Sequence, residues 1–390
     1  MAFSFIEPAL QQRQSEHLYR KLNTVQSKQS RYVYINGKQY LNFSSNDYLG
    51  LASDPEMIKA WQKGAELYGV GSGGSYLVTG YHQVHHDLTQ QLKEWLGLTD
   101  LCFFSSGYSA NQAMVSLLLN KHDLLIQDKL NHASLMEAGQ HSTAKMSRFK
   151  HNDLNHLSHL LEKQSQIDNK LVITEGVFSM DGDNSPVTHI NRLCKQHDAW
   201  LMVDDAHGIG VLGEQGKGSL NAQGMDNTDC EIYMGTFGKA LGVGGAFVSG
   251  SPQLIDYITN FSKHYIYTTG LSPAMAYCIG EAAKMAQQQQ WRRDHLMALI
   301  DQFKQLAGQF EIPLMPSNTP IQPVLIGNSE TALNVAKCLK EKGIWVTAIR
   351  PPTVPENSAR LRITLTVNHT KQDITYLAQQ LQRAVNANSN

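Results

Sequence analysis

Short apolar runs that do not alternate, separated by stretches of helical periodicity, set the fold class of this chain. They fall at residues 101–104, 124–127, 171–174, 200–203, 232–234 and 246–249. A strand with one wet face alternates apolar and polar residues, whereas a strand buried on both faces reads as a continuous aliphatic run. Between the runs lie amphipathic stretches such as 82–96, where Val84, Leu88, Leu92, Trp95 and Leu96 form one stripe. This succession predicts an α/β large domain over 51–285, with a mainly parallel sheet flanked by helices. Ahead of it, residues 1–50 predict a polar helix over 8–25 and a hairpin. Asn36-Gly37 separates strand-like runs at 32–35 and 38–43, and both turn positions need φ > 0. After 285 the pattern becomes helix 291–309, strand 322–326, helix 330–342, strands 345–350 and 360–366, and helix 371–385. That is a smaller α+β domain over 286–390.

Composition excludes several classes. The chain has 390 residues, with 33 Lys and Arg against 34 Asp and Glu, so it carries no overall field for nucleic acid or an anionic membrane. Five cysteines, none in a Cys-x-x-Cys pair, indicate neither a disulfide framework nor a zinc ribbon. The apolar stretch 101–120 is broken by Ser105, Ser106, Gly107, Ser109, Asn111 and Gln112, and reads as strand, turn and helix rather than a membrane span. The first residues lack the basic and apolar regions of a signal peptide. A soluble, cytoplasmic protein is the expectation.

Three motifs fail on context. Gly69-Val70-Gly71-Ser72-Gly73-Gly74 fits G-x-G-x-x-G, but a helical stretch at 57–67 precedes it where a dinucleotide site needs a strand. A loop that closely approaches a ligand or another chain is the better expectation. Gly238-Lys239 lacks the earlier glycine and following Ser or Thr of a phosphate-binding loop, having Tyr233 and Ala240 there. His82, His85 and His86, like His151, His156 and His159, lack a ligand pattern and are expected to be solvated helix histidines, so no metal site is expected.

A constellation remains. Asp204-Asp205-Ala206-His207-Gly208 directly follows a buried run, the place where ligands bind in open α/β sheets. Thr236-Phe237-Gly238-Lys239 follows the next run and surrounds one lysine with small and apolar residues. Ser105-Ser106-Gly107-Tyr108 links a strand to a helix whose first N–H groups suit a phosphate. A carboxylate, a flanking ring, a secluded lysine and a phosphate cradle are what pyridoxal phosphate requires. The lysine binds its aldehyde as a Schiff base, and the carboxylate keeps the pyridine nitrogen protonated. At an ordinary pKa of ~10.4 the lysine is a weak nucleophile near neutrality, so a dry, locally cationic pocket helps.

Beyond these loops the sequence resembles the α-oxoamine synthases among the fold-type I pyridoxal-phosphate enzymes, over nearly the whole chain. The matching stretches include Ser44-Ser45-Asn46-Asp47-Tyr48-Leu49-Gly50, Asn131-His132-Ala133-Ser134-Leu135 and Glu175-Gly176-Val177-Phe178-Ser179-Met180-Asp181-Gly182-Asp183. Ile349-Arg350-Pro351-Pro352-Thr353-Val354-Pro355 adds another, while Tyr108 stands where the family commonly has phenylalanine. The resemblance implies that Lys239 holds pyridoxal 5'-phosphate and acts as base at the substrate α-carbon. It implies Asp204 at the ring nitrogen, His207 and Ser179 at the ring oxygen, and His132 stacked on the ring. Gly107, Tyr108 and Thr236 are implied at the phosphate, with Thr268 or Thr269 reaching the phosphate of a second subunit in a homodimer with shared sites. Arg20, His132, Thr353 and Arg362 are implied in substrate binding. Arg360 is an alternative to Arg362 as carboxylate ligand, since alternation along one strand turns both to one face. The implied reaction joins L-alanine to a pimeloyl thioester, carried as pimeloyl-CoA or on acyl carrier protein, with loss of CO₂. Alternatives are 2-amino-3-ketobutyrate CoA ligase, another α-oxoamine synthase of different specificity, and a plain aminotransferase.

Overall fold

The computed structural model of the chain describes residues 2–388. It divides into two compact units. The larger comprises residues 47–179 and 183–293, and the other residues 1–46, 180–182 and 294–390. The N-terminal segment therefore groups with the C-terminal residues.

In that second unit, β1 (Tyr32–Ile35) and β2 (Lys38–Asn42) form the hairpin, with Asn36 and Gly37 at φ 51° and 75° as the turn demands. The helix predicted over 8–25 is shorter, Ile6–Ser15, and none of its residues is buried. Its Leu10 is exposed, His17 takes a positive φ, and the chain to Asn23 runs on without helix.

The larger unit is built on a seven-stranded sheet. Its strands are β3 (Asp100–Phe104), β4 (Leu124–Asp128), β5 (Lys145–Phe149), β6 (Lys170–Glu175), β7 (Trp200–Asp204), β8 (Ile232–Thr236) and β9 (Ala246–Gly250). Their order is β3-β9-β8-β7-β6-β4-β5. β5, β4, β6, β7 and β8 pair in parallel, and β9 runs antiparallel to both β8 and β3. Leu125, Ile173, Met202, Ile232, Met234 and Val248 are buried in one cluster. Each such side chain contributes roughly 1.5–3 kcal/mol by leaving water. Sequence patterning did not register β5, an edge strand whose Lys145 and Arg148 stay exposed.

The second unit completes its sheets with β10 (Ile321–Gly327), β11 (Ile344–Trp345), β12 (Thr347–Ile349) and β13 (Ala359–Thr364). β11 pairs in parallel with β2, and β13 lies between β10 and β12. The strand expected at 345–350 is thus split between two sheets. Helices Ser329–Glu341 and Lys371–Asn386 accompany them, the latter opened by a Thr370–Asp373 capping box. Among the described residues no helix is long and apolar enough to cross a membrane.

Candidate active site

Parallel pairing brings Glu175 at the end of β6, Asp204 at the end of β7 and Met234 within β8 into register. The loops that leave those ends carry the chemistry. Asp204 is buried; its Oδ2 accepts from Asn111 Nδ2 at 2.8 Å and its Oδ1 from the Ala206 N–H at 3.1 Å. Asn111 stands on the helix Gly107–Leu118 and also donates to Ser134 Oγ at 2.9 Å, which ties that helix to the start of the next, Ala133–His141. The neighbouring carboxylate has a different task. Asp205 Oδ2 accepts from Tyr233 Oη at 2.6 Å and the Ser219 N–H at 2.7 Å, and its Oδ1 meets the Ser219 hydroxyl. Burial pushes the Asp205 carboxyl up to about 6 against those bonds. Gly176 and Gly208 pass so close that a Cβ on either would strike Asp205 Oδ1. Asp205 is committed to holding Tyr233 and Ser219, whereas Asp204 faces Asn111 and the Ala206 N–H.

His207, buried beside it, places Nδ1 2.6 Å from Tyr48 Oη. His132 opens the helix Ala133–His141, and its Nδ1 accepts from the Ser134 N–H at 3.2 Å, which fixes the ring while leaving it an open face. Surrounding groups desolvate it and the Lys239 charge repels a proton, lowering the His132 pKa against an opposing pull from Asp204. His132, Asp204 and Lys239 therefore share one electrostatic neighbourhood. Lys239 is half-buried in the loop after β8. In that loop Thr236 Oγ1 donates to Gly245 O at 2.8 Å and accepts from the Gly238 N–H at 3.3 Å.

Ser106 caps the helix Gly107–Leu118 by accepting from the Ser109 N–H at 3.1 Å. The N–H groups of Gly107 and Tyr108 belong to its first turn and have no acceptor within it. Thr268 and Thr269 follow the short helix Lys263–Ile266, and Thr269 bridges to Ser75. Gly270 N–H donates to Gly74 O at 3.0 Å, so the glycine-rich loop is paired with the threonine segment.

The chain matches the profile of aminotransferase class I and II over residues 38–381. The chain belongs to that family. Within it, 8-amino-7-oxononanoate synthase of Photobacterium profundum is 51% identical over 385 residues, spanning 98% of this chain and 97% of the relative. A serine palmitoyltransferase structure from S. paucimobilis with bound pyridoxal phosphate superposes with a TM-score of 0.93 at 26% identity, covering 99% of this chain and 98% of that one. The structure of 8-amino-7-oxononanoate synthase from Francisella tularensis gives 0.79 at 28% identity, covering 90% and 99%. The architecture is that of fold-type I pyridoxal-phosphate enzymes.

The donor set fits the cofactor of such aminotransferase-family enzymes. A lysine, a buried carboxylate, a pinned imidazole with an open face and uncommitted N–H groups at a capped helix start complement an aldehyde, a pyridinium, a ring face and a phosphate.

Residues of the second unit occupy their own network. Arg362 Nη1 donates to Asn46 Oδ1 and Thr364 Oγ1, both at 3.0 Å. Arg360, two residues earlier, pairs with Asp181 at 2.6 Å. Arg20 lies beyond the N-terminal helix rather than on it, and its Nη2 is 3.4 Å from Thr353 Oγ1, so two expected substrate residues adjoin.

Sequence reasoning gave no role to Glu175, Asn111 or Tyr48. An acidic residue closing the strand beside that of Asp204 was the available signal for the first. Two histidine groups also differ from expectation. His85 is buried, with Nε2 2.9 Å from Leu271 O, and His151 bridges Asp128 at 3.0 Å and Asp183 at 2.8 Å. Both were expected to be solvated, but each has local polar partners that compensate its loss of water.

Proposed function

We propose that the chain catalyses the decarboxylative condensation of L-alanine with a pimeloyl thioester, giving 8-amino-7-oxononanoate, CO₂ and the free thiol, as in biotin biosynthesis. The observation that carries this is the end-to-end match, at 51% identity, with a relative of that name. The clustering of Lys239, Asp204 and His132 supports it.

Pyridoxal phosphate is the cofactor; when bound it supplies an aldehyde for the substrate amine and a protonated ring that withdraws electrons from the α-carbon. Lys239 would hold it covalently. Asp204 would face the ring nitrogen, its position set by Asn111 and the Ala206 N–H. His207, held by Tyr48, and Ser179 would bind the ring oxygen, and His132 would cover the ring face. Gly107, Tyr108 and Thr236 would hold the phosphate, joined by Thr268 or Thr269 from a second subunit.

Lys239 Nζ, released when the substrate amine takes its place, would take the proton from the alanine α-carbon, leaving that carbon to attack the thioester carbonyl with expulsion of the thiol, and would return a proton after CO₂ has left. The Lys239 amine must be neutral for the first of these transfers. Arg362 binds the alanine carboxylate in a bidentate clamp and so selects which α-carbon bond is turned for cleavage. Arg20 and Thr353 contact the acyl substrate. The working form is a cytoplasmic homodimer that accepts pimeloyl-CoA or the pimeloyl-acyl carrier protein.

The test is product mass after incubation with pyridoxal phosphate, L-alanine and pimeloyl-CoA, beside a glycine and acetyl-CoA control. The expected product is 8-amino-7-oxononanoate, with thiol released in the first mixture only. Turnover in the control alone would move the enzyme to 2-amino-3-ketobutyrate CoA ligase chemistry.

A further inference from the structure

Glu175 ends β6 with 2% of its surface exposed, and its register partner on β7 is Asp204. Its Oε1 is buried and has no hydrogen-bond partner. The backbone N–H groups of His132 and Ser179 bond to its carboxyl, and Lys239 is the cation that acts on it. On the other side β4 ends in Asp128, which is occupied by His151 and by the Leu130 and Asn152 N–H groups. Two carboxyl groups thus stand side by side, and only Asp204 has bonds to both oxygens. Burying an anion with one oxygen unanswered beside another anion costs far more than burying the neutral acid.

We propose that Glu175 is a neutral carboxylic acid in the resting protein and a positioning residue, fixing the main chain of His132 and Ser179 while leaving Asp204 to carry the negative charge opposite Lys239. Burial and the Asp204 charge raise its pKa well above the carboxylate range, in the same sense. An ionised Glu175 would strengthen the hold on any proton near Lys239; a neutral one leaves that proton under the control of Asp204 alone. The positional half rests on the assignment of His132 and Ser179 to the cofactor, whereas the protonation half does not.

Three measurements test it. Infrared difference spectra of the full-length protein, wild type minus Glu175→Gln, are expected to show a lost carboxylic-acid carbonyl band; a lost carboxylate pair would overturn the protonation. In the cofactor-loaded enzyme, Glu175→Gln is expected to leave the pH midpoint of the visible absorbance in place, since no charge is removed. A fall of about one pH unit would mean an anion had been deleted. Glu175→Leu, which removes the amide contacts, is expected to weaken the visible circular dichroism of the bound cofactor and to lower kcat by about tenfold or more. Unchanged dichroism with reduced thermal stability alone would leave Glu175 a merely structural group. Should the leucine variant fail to fold, the two glutamine measurements decide. Failure of the wild type to bind pyridoxal phosphate would instead count against the proposed function, with the infrared result still standing.

Discussion

Asp204 and Asp205, adjacent in sequence, turn their carboxylates into separate networks: Asp204 towards Asn111 Nδ2 at 2.8 Å, Asp205 towards Tyr233 Oη at 2.6 Å. The two should therefore fail differently when neutralised. Asp204→Asn is expected to lower kcat by about 10²–10³-fold, the scale of losing one preorganised charge in a site, with little change in unfolding midpoint. Asp205→Asn is expected to retain the visible spectrum of the bound cofactor and lose about 1–3 kcal/mol of stability in urea unfolding, because Tyr233 and Ser219 lose a charged acceptor. Equal loss of activity at equal stability in both variants would contradict this division.

Lys239→Ala removes the only amine of the loop after β8. Wild-type protein incubated with pyridoxal phosphate and borohydride should gain the mass of one reduced adduct, located by peptide mapping to Lys239. The alanine variant should gain none and form no product. An adduct at another lysine would reassign the nucleophile.

Arg360 and Arg362 share a strand face but have different partners. Arg360→Ala leaves the partly buried Asp181 without its partner and is expected to cost about 1–3 kcal/mol in stability. Arg362→Ala is expected to raise KM for L-alanine by tenfold or more, about 1.4 kcal/mol for each tenfold, with a smaller effect on unfolding. A larger KM effect from Arg360 would reverse the carboxylate assignment.

His151, between Asp128 and Asp183, has its pKa raised to about 10, since the two carboxylates outweigh the desolvation that pulls it down. A raised folded-state pKa stabilises fully below the unfolded value near ~6.5, and that contribution disappears as pH climbs through the folded value. His151→Gln should accordingly cost about 1.5–3 kcal/mol at pH 6 and progressively less as the pH approaches 10, read as the difference in urea unfolding between variant and wild type. A constant difference across that range would show that the ring is neutral throughout.

The central sheet was legible because its inner strands bury both faces, and no polar residue interrupts Leu171-Val172-Ile173 or Leu201-Met202-Val203. β5 was not, since Lys145-Met146-Ser147-Arg148-Phe149 keeps an exposed charge on each face and has one sheet partner. Residues 16–23 carried leucines at near-helical spacing, yet Leu18 is only partly covered and Leu22 is fully exposed, so they form no continuous buried stripe. Asp204, His207 and Lys239 stood out because loops at strand ends must either bind something or waste polar groups. Glu175 escaped notice because its meaning comes from cross-strand register, which sequence spacing does not reveal. His85 and His151 were misjudged for the same reason: their partners Leu271, Asp128 and Asp183 are distant in sequence.

The second unit draws on both ends of the chain, and β11 finds its neighbour in β2. During synthesis the hairpin emerges before the larger unit and must wait for that unit to leave the ribosome before its partner strand exists. A fragment beginning at Asp294 would present β11 with an open edge, and one ending at Arg293 would leave β2 in the same condition. The smaller unit thus comes into being only once the residues from Asp294 onward have been made, so a chain terminated before them exposes a sticky strand edge rather than yielding an intact half.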